Sequence, residues 1–220
     1  MIPGSSRDVI GQPSTDLALG LIATIVEIVA IASKKITQER LIDTESDENE
    51  ITNQLRQKMI EEKNARNAAL GGVLTLRIEG EVGTFHTTAG RIDLKVIYDF
   101  DERNYFGVEC KRLSKDDRSL DRKYVTNGLA RFLAGKYSYN HQWGMMVGYV
   151  ISGTCQQAAD WVRERMCENS YDLHTVSSLA QETRFGNHRH LHSSRHRQET
   201  PQETIITVLH YFFVIPAAGS

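Results

Sequence analysis

The chain has 220 residues and a formal net charge of −2. This length favours a single domain with a substantial hydrophobic core. The near-neutral charge excludes a uniformly basic nucleic-acid-binding protein, so any surface that contacts nucleic acid must be local. No Gly-rich segment matches a Walker phosphate loop, which argues against a nucleotide-hydrolysing motor. The three cysteines, at positions 110, 155 and 167, form neither a CxxC motif nor a paired framework, and they favour a reducing, cytoplasmic setting.

The first element is an apolar stretch, Leu17–Ala32, which predicts a buried helix. It is shorter than the ~20 residues that a transmembrane helix needs, and it contains Glu27. Ser14–Asp16 supplies polar residues for its N-cap, and Lys34 and Lys35 suit its C-terminal end. A helix that is apolar on nearly every side lies in a core or against a partner subunit. We therefore expect residues 1–40 to form an N-terminal helical extension that contributes to a homo-oligomer or a hetero-complex, without a membrane contact.

An acidic segment, Thr44–Glu50, predicts the start of a second helix. Ile51, Leu55 and Met59 recur at helical spacing and define its inner face. Glu48 lies three residues before Ile51 and shares that face, whereas Glu50 is turned aside. Acidic residues also stabilise helix N-termini, so a role for these two glutamates in capping and a role in a functional site both stay open.

The central stretch, Gly90–Leu113, predicts a β-hairpin that follows a strand over Val73–Val82. Two β-like runs, Arg91–Tyr98 and Tyr105–Leu113, flank the polar connection Asp99–Asn104. Side chains alternate between the faces of a strand, so Glu109 and Lys111 share one face. A turn centred near Asp101 sets Asp93 across from Glu109, with Cβ atoms about 4.5–5.5 Å apart.

Asp93, Glu109 and Lys111 then form a candidate catalytic set. Two carboxylates this close repel each other unless a cation lies between them. Mg²⁺, or Mn²⁺ in its place, is a hard cation that one or two carboxylates can hold. The ammonium of Lys111 can orient an attacking water or offset charge on a phosphate. The alternative is a solvated sheet face that carries an ordinary Glu–Lys pair; the addition of Asp93 favours the metal site.

The later elements complete an α/β pattern. Helical spacing predicts an amphipathic helix over Tyr124–Tyr137, whose inner face consists of Val125, Leu129, Phe132, Leu133 and Lys136. Gln142–Ser152 is almost continuously apolar and predicts a strand buried on both faces. Thr154 is expected to cap a third helix that runs to about Glu168, and Thr204–Ile215 is strongly strand-like.

The segment Arg184–Arg197 holds four arginines and four histidines and no acidic residue. We expect a basic loop that contacts phosphates, with Ser194, His196 and Arg197 binding substrate together with Arg112. A disordered charged loop is the alternative. The alternation of His188, His190 and His192 also allows a zinc site, although no cysteine lies nearby at a familiar spacing. His210, within the last strand, is expected to be a core histidine with hydrogen-bond partners.

Asp93, followed one strand later by Glu109-Cys110-Lys111, resembles the PD-(D/E)xK nuclease superfamily with its restriction-endonuclease-like fold. Ile92 stands where the superfamily name has proline. The order of helices and strands extends the resemblance over Asp47–Glu168. It implies a restriction-endonuclease-like central mixed sheet flanked by helices, within a nuclease-like domain over residues 41–220.

The resemblance also implies an activity and the roles of individual residues. The chain would be a Mg²⁺- or Mn²⁺-dependent endonuclease that acts on nucleic acid, with DNA favoured. Asp93 and Glu109 would bind the metal, Cys110 would offer its backbone carbonyl, and Glu48 would complete the metal site. Lys111 would position the attacking water.

Single-domain nucleases of this kind often serve bacterial defence against phage beside a helicase, sensor or ATPase subunit, and we expect such a setting here. The alternative is a catalytically silent module on the same fold that binds nucleic acid or a partner protein.

Overall fold

The computed structural model describes residues 15–72, 74–83, 91–98, 105–137, 142–168, 171–199 and 204–219. In these ranges one mixed seven-stranded sheet lies between two layers of helices, which confirms the predicted α/β class. The elements in chain order are α1 (Thr15–Glu39), α2 (Glu48–Ala69), β1 (Arg77–Gly83), β2 (Arg91–Ile97), β3 (Tyr105–Ser114), α3 (Ser119–Lys123), a π-helix (Tyr124–Leu129), α4 (Ala130–Leu133), β4 (Trp143–Ser152), α5 (Cys155–Met166), β5 (Thr175–Gln181), β6 (Leu191–Arg197) and β7 (Ile205–Val214).

The sheet has the strand order β1-β2-β3-β4-β7-β6-β5. The three central strands β3, β4 and β7 run parallel, and the flanking pairs are antiparallel. The predicted hairpin and the predicted buried strand are both present, as the β2–β3 pair and as β4. Because β4 occupies the middle of the sheet and has helices over both faces, its sequence is apolar at nearly every position.

The helices α1 and α2 cover one face of the sheet. Ile25, Val29 and Ile36 of α1 are almost completely buried and belong to one hydrophobic cluster with α2 and the sheet residues Val147 and Tyr149. The predicted buried helix is therefore confirmed, and it continues to Glu39. Its inner face is buried by the chain itself, so association through residues 17–32 stays a prediction. No helix in the described ranges combines the length and the apolar character that crossing a membrane requires.

The opposite face is covered by α3, the π-helix, α4 and α5. The predicted single helix over Tyr124–Tyr137 is wrong in its bounds, because the helical segment begins at Ser119, passes through a π-helix and ends at Leu133. The four apolar residues of the predicted inner face are buried as expected, whereas Lys136 is exposed. The third predicted helix is confirmed as α5. The Thr154 side chain accepts a hydrogen bond from the Gln157 backbone N–H, and the two residues form a capping box.

The prediction of a basic loop over Arg184–Arg197 holds for residues 184–190, which form neither helix nor strand, and is wrong for the remainder. Residues Leu191–Arg197 form β6, which pairs with β5 on one side and β7 on the other. His192, Ser194 and His196 point inward and are buried, whereas Arg195 and Arg197 alternate with them and are exposed. The segment thus has the period of two that a strand requires, but its inward residues are polar.

Candidate active site

The site lies where the backbone pairing of β2 and β3 ends. The ladder runs from Ile97↔Tyr105 to Leu94↔Val108. One further step in this register sets Asp93 across from Glu109, the arrangement that the sequence predicts. The Asp93 side chain then takes the place of a backbone partner, because its Oδ2 accepts a hydrogen bond from the Cys110 N–H at 2.7 Å. This bond fixes one carboxylate oxygen of Asp93 against β3.

The ammonium of Lys111 is the centre of the cluster. Its Nζ lies 2.8 Å from Glu48 Oε1, 3.0 Å from Glu109 Oε1 and 3.6 Å from Asp93 Oδ2. It also donates a hydrogen bond to the backbone carbonyl oxygen of Cys110 at 2.6 Å. Burial lowers the pKa of Lys111, but the three surrounding carboxylates outweigh burial and raise it above its ordinary value. Lys111 is therefore a protonated, positively charged group.

Glu109 is completely buried. Its Oε1 faces Lys111 and also Arg131, whose Nη1 lies 3.3 Å away. Its Oε2 has no hydrogen-bond partner among the described residues. Burial, reinforced by the nearby charge of Asp93, raises the pKa of Glu109 to about 7. Burial also raises the pKa of Asp93, against the opposing effects of Lys111 and the Cys110 N–H.

Glu48 reaches this cluster from the N-terminus of α2. Asp47 caps the helix by accepting from the Glu50 N–H at 2.8 Å, so the Glu48 side chain is not the cap. Glu48 Oε2 instead accepts from the backbone N–H of Arg112 at 3.2 Å, next to its contact with Lys111. The structure thus brings Glu48 to the site, and Glu50 is exposed. A role of Glu48 as metal ligand stays a prediction.

Sequence reasoning missed two residues of the site, Arg131 and Tyr137. Arg131 Nη1 contacts Glu109 and also donates to the Tyr137 hydroxyl at 2.6 Å. The Tyr137 hydroxyl donates in turn to the backbone carbonyl of Arg91, two residues before Asp93. A regular helical projection misplaces residue 131, because the π-helix that precedes it winds with a different period.

A glycine in the π-helix allows this helix to pack against the site. A Cβ atom at Gly128 would lie 2.4 Å from Met146 Cε and 3.6 Å from Lys111 Cγ. The absence of a side chain therefore lets the helix backbone pack closely against Met146, which pairs with Glu109 in the sheet, while the stem of Lys111 lies at ordinary contact distance. π-Helices are often found at functional sites. This one packs beside Lys111 and leads into α4, which carries Arg131.

The structure contradicts the prediction that Ser194 and His196 bind substrate. Both are completely buried in β6, whereas the prediction assumed that they lie in an exposed loop. The Ser194 Oγ lies 2.8 Å from His196 Nε2 and 2.9 Å from His210 Nε2. His210 Nδ1 lies 3.0 Å from the Tyr124 hydroxyl, which confirms His210 as a core histidine with partners.

One assignment of protons satisfies this whole buried network. His196 Nδ1 lies 2.9 Å from the backbone carbonyl oxygen of Leu173, so it must carry the proton. Its Nε2 then accepts from Ser194, Ser194 accepts from His210 Nε2–H, and His210 Nδ1 accepts from Tyr124. Burial lowers the pKa of His196 to about 4 and that of His210 further below its usual range, so both are neutral. The network holds β6 and β7 to the π-helix and the segment before β5.

Arg112 and Arg197, the other two predicted substrate-binding residues, occupy separate places. Arg112 follows Lys111 on β3, and its backbone binds Glu48. Arg197 is exposed at the end of β6. Contact of these two side chains with substrate stays a prediction.

Within the described ranges, no group of three His, Cys, Asp or Glu side chains is arranged to hold a metal ion. Glu48, Asp93 and Glu109 surround the ammonium of Lys111 instead. Their donor chemistry nevertheless fits a hard cation such as Mg²⁺, which binds oxygen ligands. The buried Oε2 of Glu109 is the strongest sign of this fit, because it lacks a partner that a cation would supply.

No protein-family model matches the chain, no curated protein is similar to it, and no solved structure matches it.

Proposed function

We propose that this chain is a metal-dependent nuclease with a restriction-endonuclease-like fold, which hydrolyses phosphodiester bonds in nucleic acid and favours DNA. The observation that carries the proposal is the meeting of Asp93, Glu109 and Lys111 on adjacent strands, where a buried Glu109 oxygen has no hydrogen-bond partner in the part of the chain that the structure describes. The resemblance to the PD-(D/E)xK superfamily supports it, because the same three residues carry that resemblance. A mixed sheet between two helical layers is compatible with it.

The charges of the site suit a cation-assisted reaction on a phosphate. Three carboxylates face two side-chain cations, Lys111 and Arg131, so the ionised cluster has a net charge of −1 before any metal binds. Asp93 and Glu109 would hold a divalent cation, with the Cys110 carbonyl and Glu48 as further ligands. When bound, the cation supplies a Lewis acid that polarises the phosphate and lowers the pKa of water.

Lys111 acts through its positive charge in this proposal. Because its ammonium is protonated, it cannot accept a proton from water; it can donate hydrogen bonds to a water or to a phosphate oxygen. Its contacts with Glu109 and the Cys110 carbonyl hold it at the edge of β3 beside Asp93. Lys111 would therefore orient the nucleophile and offset charge that develops on the phosphate.

The rival proposal is a catalytically silent binding module. It is disfavoured because a retired site has no physical need to keep Asp93 where its charge raises the pKa of the buried Glu109. Thermal unfolding with millimolar Mg²⁺ or Mn²⁺ distinguishes the two. Metal-dependent stabilisation that disappears in Asp93→Ala supports the nuclease, and an unchanged melting curve in the wild type favours the binding module.

The test of the activity is cleavage of supercoiled DNA, linear DNA and RNA with Mg²⁺ or Mn²⁺. Wild type is compared with Glu109→Ala and Lys111→Ala. Cleavage by the wild type alone supports the proposal and identifies the substrate. Equal cleavage by all three proteins indicates a contaminant and removes the catalytic assignment. Metal-dependent stabilisation without cleavage would indicate a nuclease that needs a partner, which is the setting we propose for a defence system with a helicase, sensor or ATPase subunit.

A further inference from the structure

Arg131 is the second side-chain cation, after Lys111, that contacts the buried carboxylate of Glu109. Of the two, Arg131 is the more exposed to solvent. Lys111 and Arg131 contact the same oxygen, Glu109 Oε1, at 3.0 and 3.3 Å. Lys111 is 12% exposed, whereas the Arg131 side chain is 39% exposed. Arg131 therefore extends from the interior of the site to the surface that a large substrate would contact.

Tyr137 holds the guanidinium of Arg131 in this orientation. Its hydroxyl oxygen accepts from Arg131 Nη1 and its proton goes to the Arg91 carbonyl. Burial raises the pKa of Tyr137, so the hydroxyl keeps its proton and the direction of both hydrogen bonds is fixed. The ring itself is completely buried. This arrangement limits the freedom of the guanidinium, which lowers the entropic cost of a further contact.

Within the described ranges, the rest of the guanidinium is available to a ligand, apart from a contact with the Tyr137 ring, whose centroid lies 5.7 Å from the guanidinium carbon. Among the described residues, Arg131 makes its hydrogen bonds through Nη1 alone, to Glu109 and Tyr137. Arginine carries five N–H donors in a planar fork that matches the oxygens of a phosphate. An ordinary ion pair would need only the contact with Glu109; the additional hydrogen bond to the Tyr137 hydroxyl fixes the orientation of a group that is 39% exposed.

We propose that Arg131 binds a phosphate group of the nucleic-acid backbone beside Asp93, Glu109 and Lys111, with Tyr137 as its positioning residue. This proposal rests on the proposed function for its substrate class, but it concerns binding and not cleavage. The contact is independent of base sequence because it is made to the backbone. It adds one charge-assisted contact next to the reacting group and sets the register of the strand in the site.

The test measures binding of a fluorescein-labelled DNA duplex by anisotropy at several salt concentrations. The background is Glu109→Gln, which removes one negative charge and keeps an oxygen for Arg131. Arg131→Ala in this background is expected to weaken binding about tenfold and to lower the slope of log K against log salt concentration by about 1. Arg131→Lys keeps the charge and should retain most of the slope. Tyr137→Phe should weaken binding less than Arg131→Ala.

Arg163→Ala is the matched control. Arg163 is 38% exposed and is also paired with a carboxylate, Asp160, but it lies on α5 outside the site. Its removal should leave the affinity and the salt slope unchanged. An unchanged slope in Arg131→Ala, an equal loss in Arg163→Ala, or no binding by the parent protein would each overturn the proposal. A wild type that neither cleaves nucleic acid nor is stabilised by Mg²⁺ or Mn²⁺, with the Arg131 effect intact, would refute the nuclease and leave the phosphate site standing.

Discussion

Lys111 Nζ lies 3.0 Å from Glu109 Oε1, and both side chains project from the same face of one strand, two residues apart. The strand itself therefore fixes the pair, whereas Asp93 and Glu48 arrive from a neighbouring strand and a helix. Because Glu109 is completely buried, its charge depends on nearby cations. This dependence gives a direct prediction for stability.

Lys111→Met should destabilise the metal-free protein by about 3 kcal/mol near pH 8, because it leaves a buried carboxylate with Arg131 as its remaining cation. The double variant Lys111→Met/Glu109→Gln should recover much of that loss, since the charge that lacked a partner is gone. Urea unfolding of the wild type, both single variants and the double variant in a chelator gives the coupling energy. Additive losses in the double variant would show that the two groups do not interact.

Gly128→Ala should destabilise the protein by about 1–3 kcal/mol and reduce cleavage, because the added methyl group overlaps the buried Met146, which pairs with Glu109 in the sheet and would have to move. Gly20→Ala is the matched helical control. A Cβ at Gly20 has no neighbour within 4 Å, so this change should be neutral or mildly stabilising. Thermal unfolding and activity of both variants check the prediction; equal behaviour of the two would contradict the close packing at Gly128.

Ser194→Ala should cost about 2–4 kcal/mol of stability and leave the cleavage rate of the folded enzyme unchanged. The change removes the hydroxyl that joins His196 to His210 and leaves two buried ring nitrogens without partners. Ser178, exposed on β5, provides the control, and Ser178→Ala should change stability by less than about 0.5 kcal/mol. A selective loss of DNA binding by folded Ser194→Ala would restore the original prediction of a substrate contact.

The buried histidines give the stability a pH dependence of defined sign. The pKa of His196 falls from 6.5 to about 4 on folding because the ring is buried. Between these values the unfolded chain binds more protons than the folded protein, so this contribution to stability rises with pH. It is complete above pH 6.5 and lost below about pH 4. The stability difference between wild type and His196→Gln, from urea unfolding, should therefore grow from pH 4 to 6.5 and then level off. A difference that does not vary with pH would contradict the buried neutral imidazole.

The central hairpin could be predicted because residues close together in the sequence determine its two strands and their connection. Alternation along Arg91–Tyr98 and Tyr105–Leu113 fixes which side chains share a face, and the length of the connection fixes their register. The same reasoning placed Glu48 on the inner side of α2, and the structure brings it into contact with Lys111. The face of a strand or helix on which each of these side chains lies depends on neighbouring residues alone.

Local sequence patterns do not predict the buried polar face of β6 or the contact of Arg131 with Glu109. His192, Ser194 and His196 are buried at strand spacing. Ser194 and His196 can be buried because they bond to each other, Ser194 also bonds to His210, and His196 also bonds to the Leu173 carbonyl. These partners lie outside β6, so the strand pattern alone does not reveal them. The edge strand β5 was not predicted, since six of its seven residues are exposed and give no apolar alternation. Arg131 contacts Glu109 from a segment that follows a π-helix, and hydrophobic periodicity does not reveal that change of winding.

The measurement that tests the central claim most directly is Mg²⁺-dependent cleavage of supercoiled DNA by wild type, Lys111→Ala and Lys58→Ala. Lys58 is the matched lysine, since its side chain is 13% exposed and is also paired with carboxylates, but it joins α2 to Glu39 at the end of α1, outside the site. We predict that wild type and Lys58→Ala cleave with equal rates and that Lys111→Ala loses at least about 100-fold in rate, the scale of a lost electrostatic contact at a reacting group. Cleavage by Lys111→Ala at the wild-type rate would contradict the assignment of this cluster as the active site.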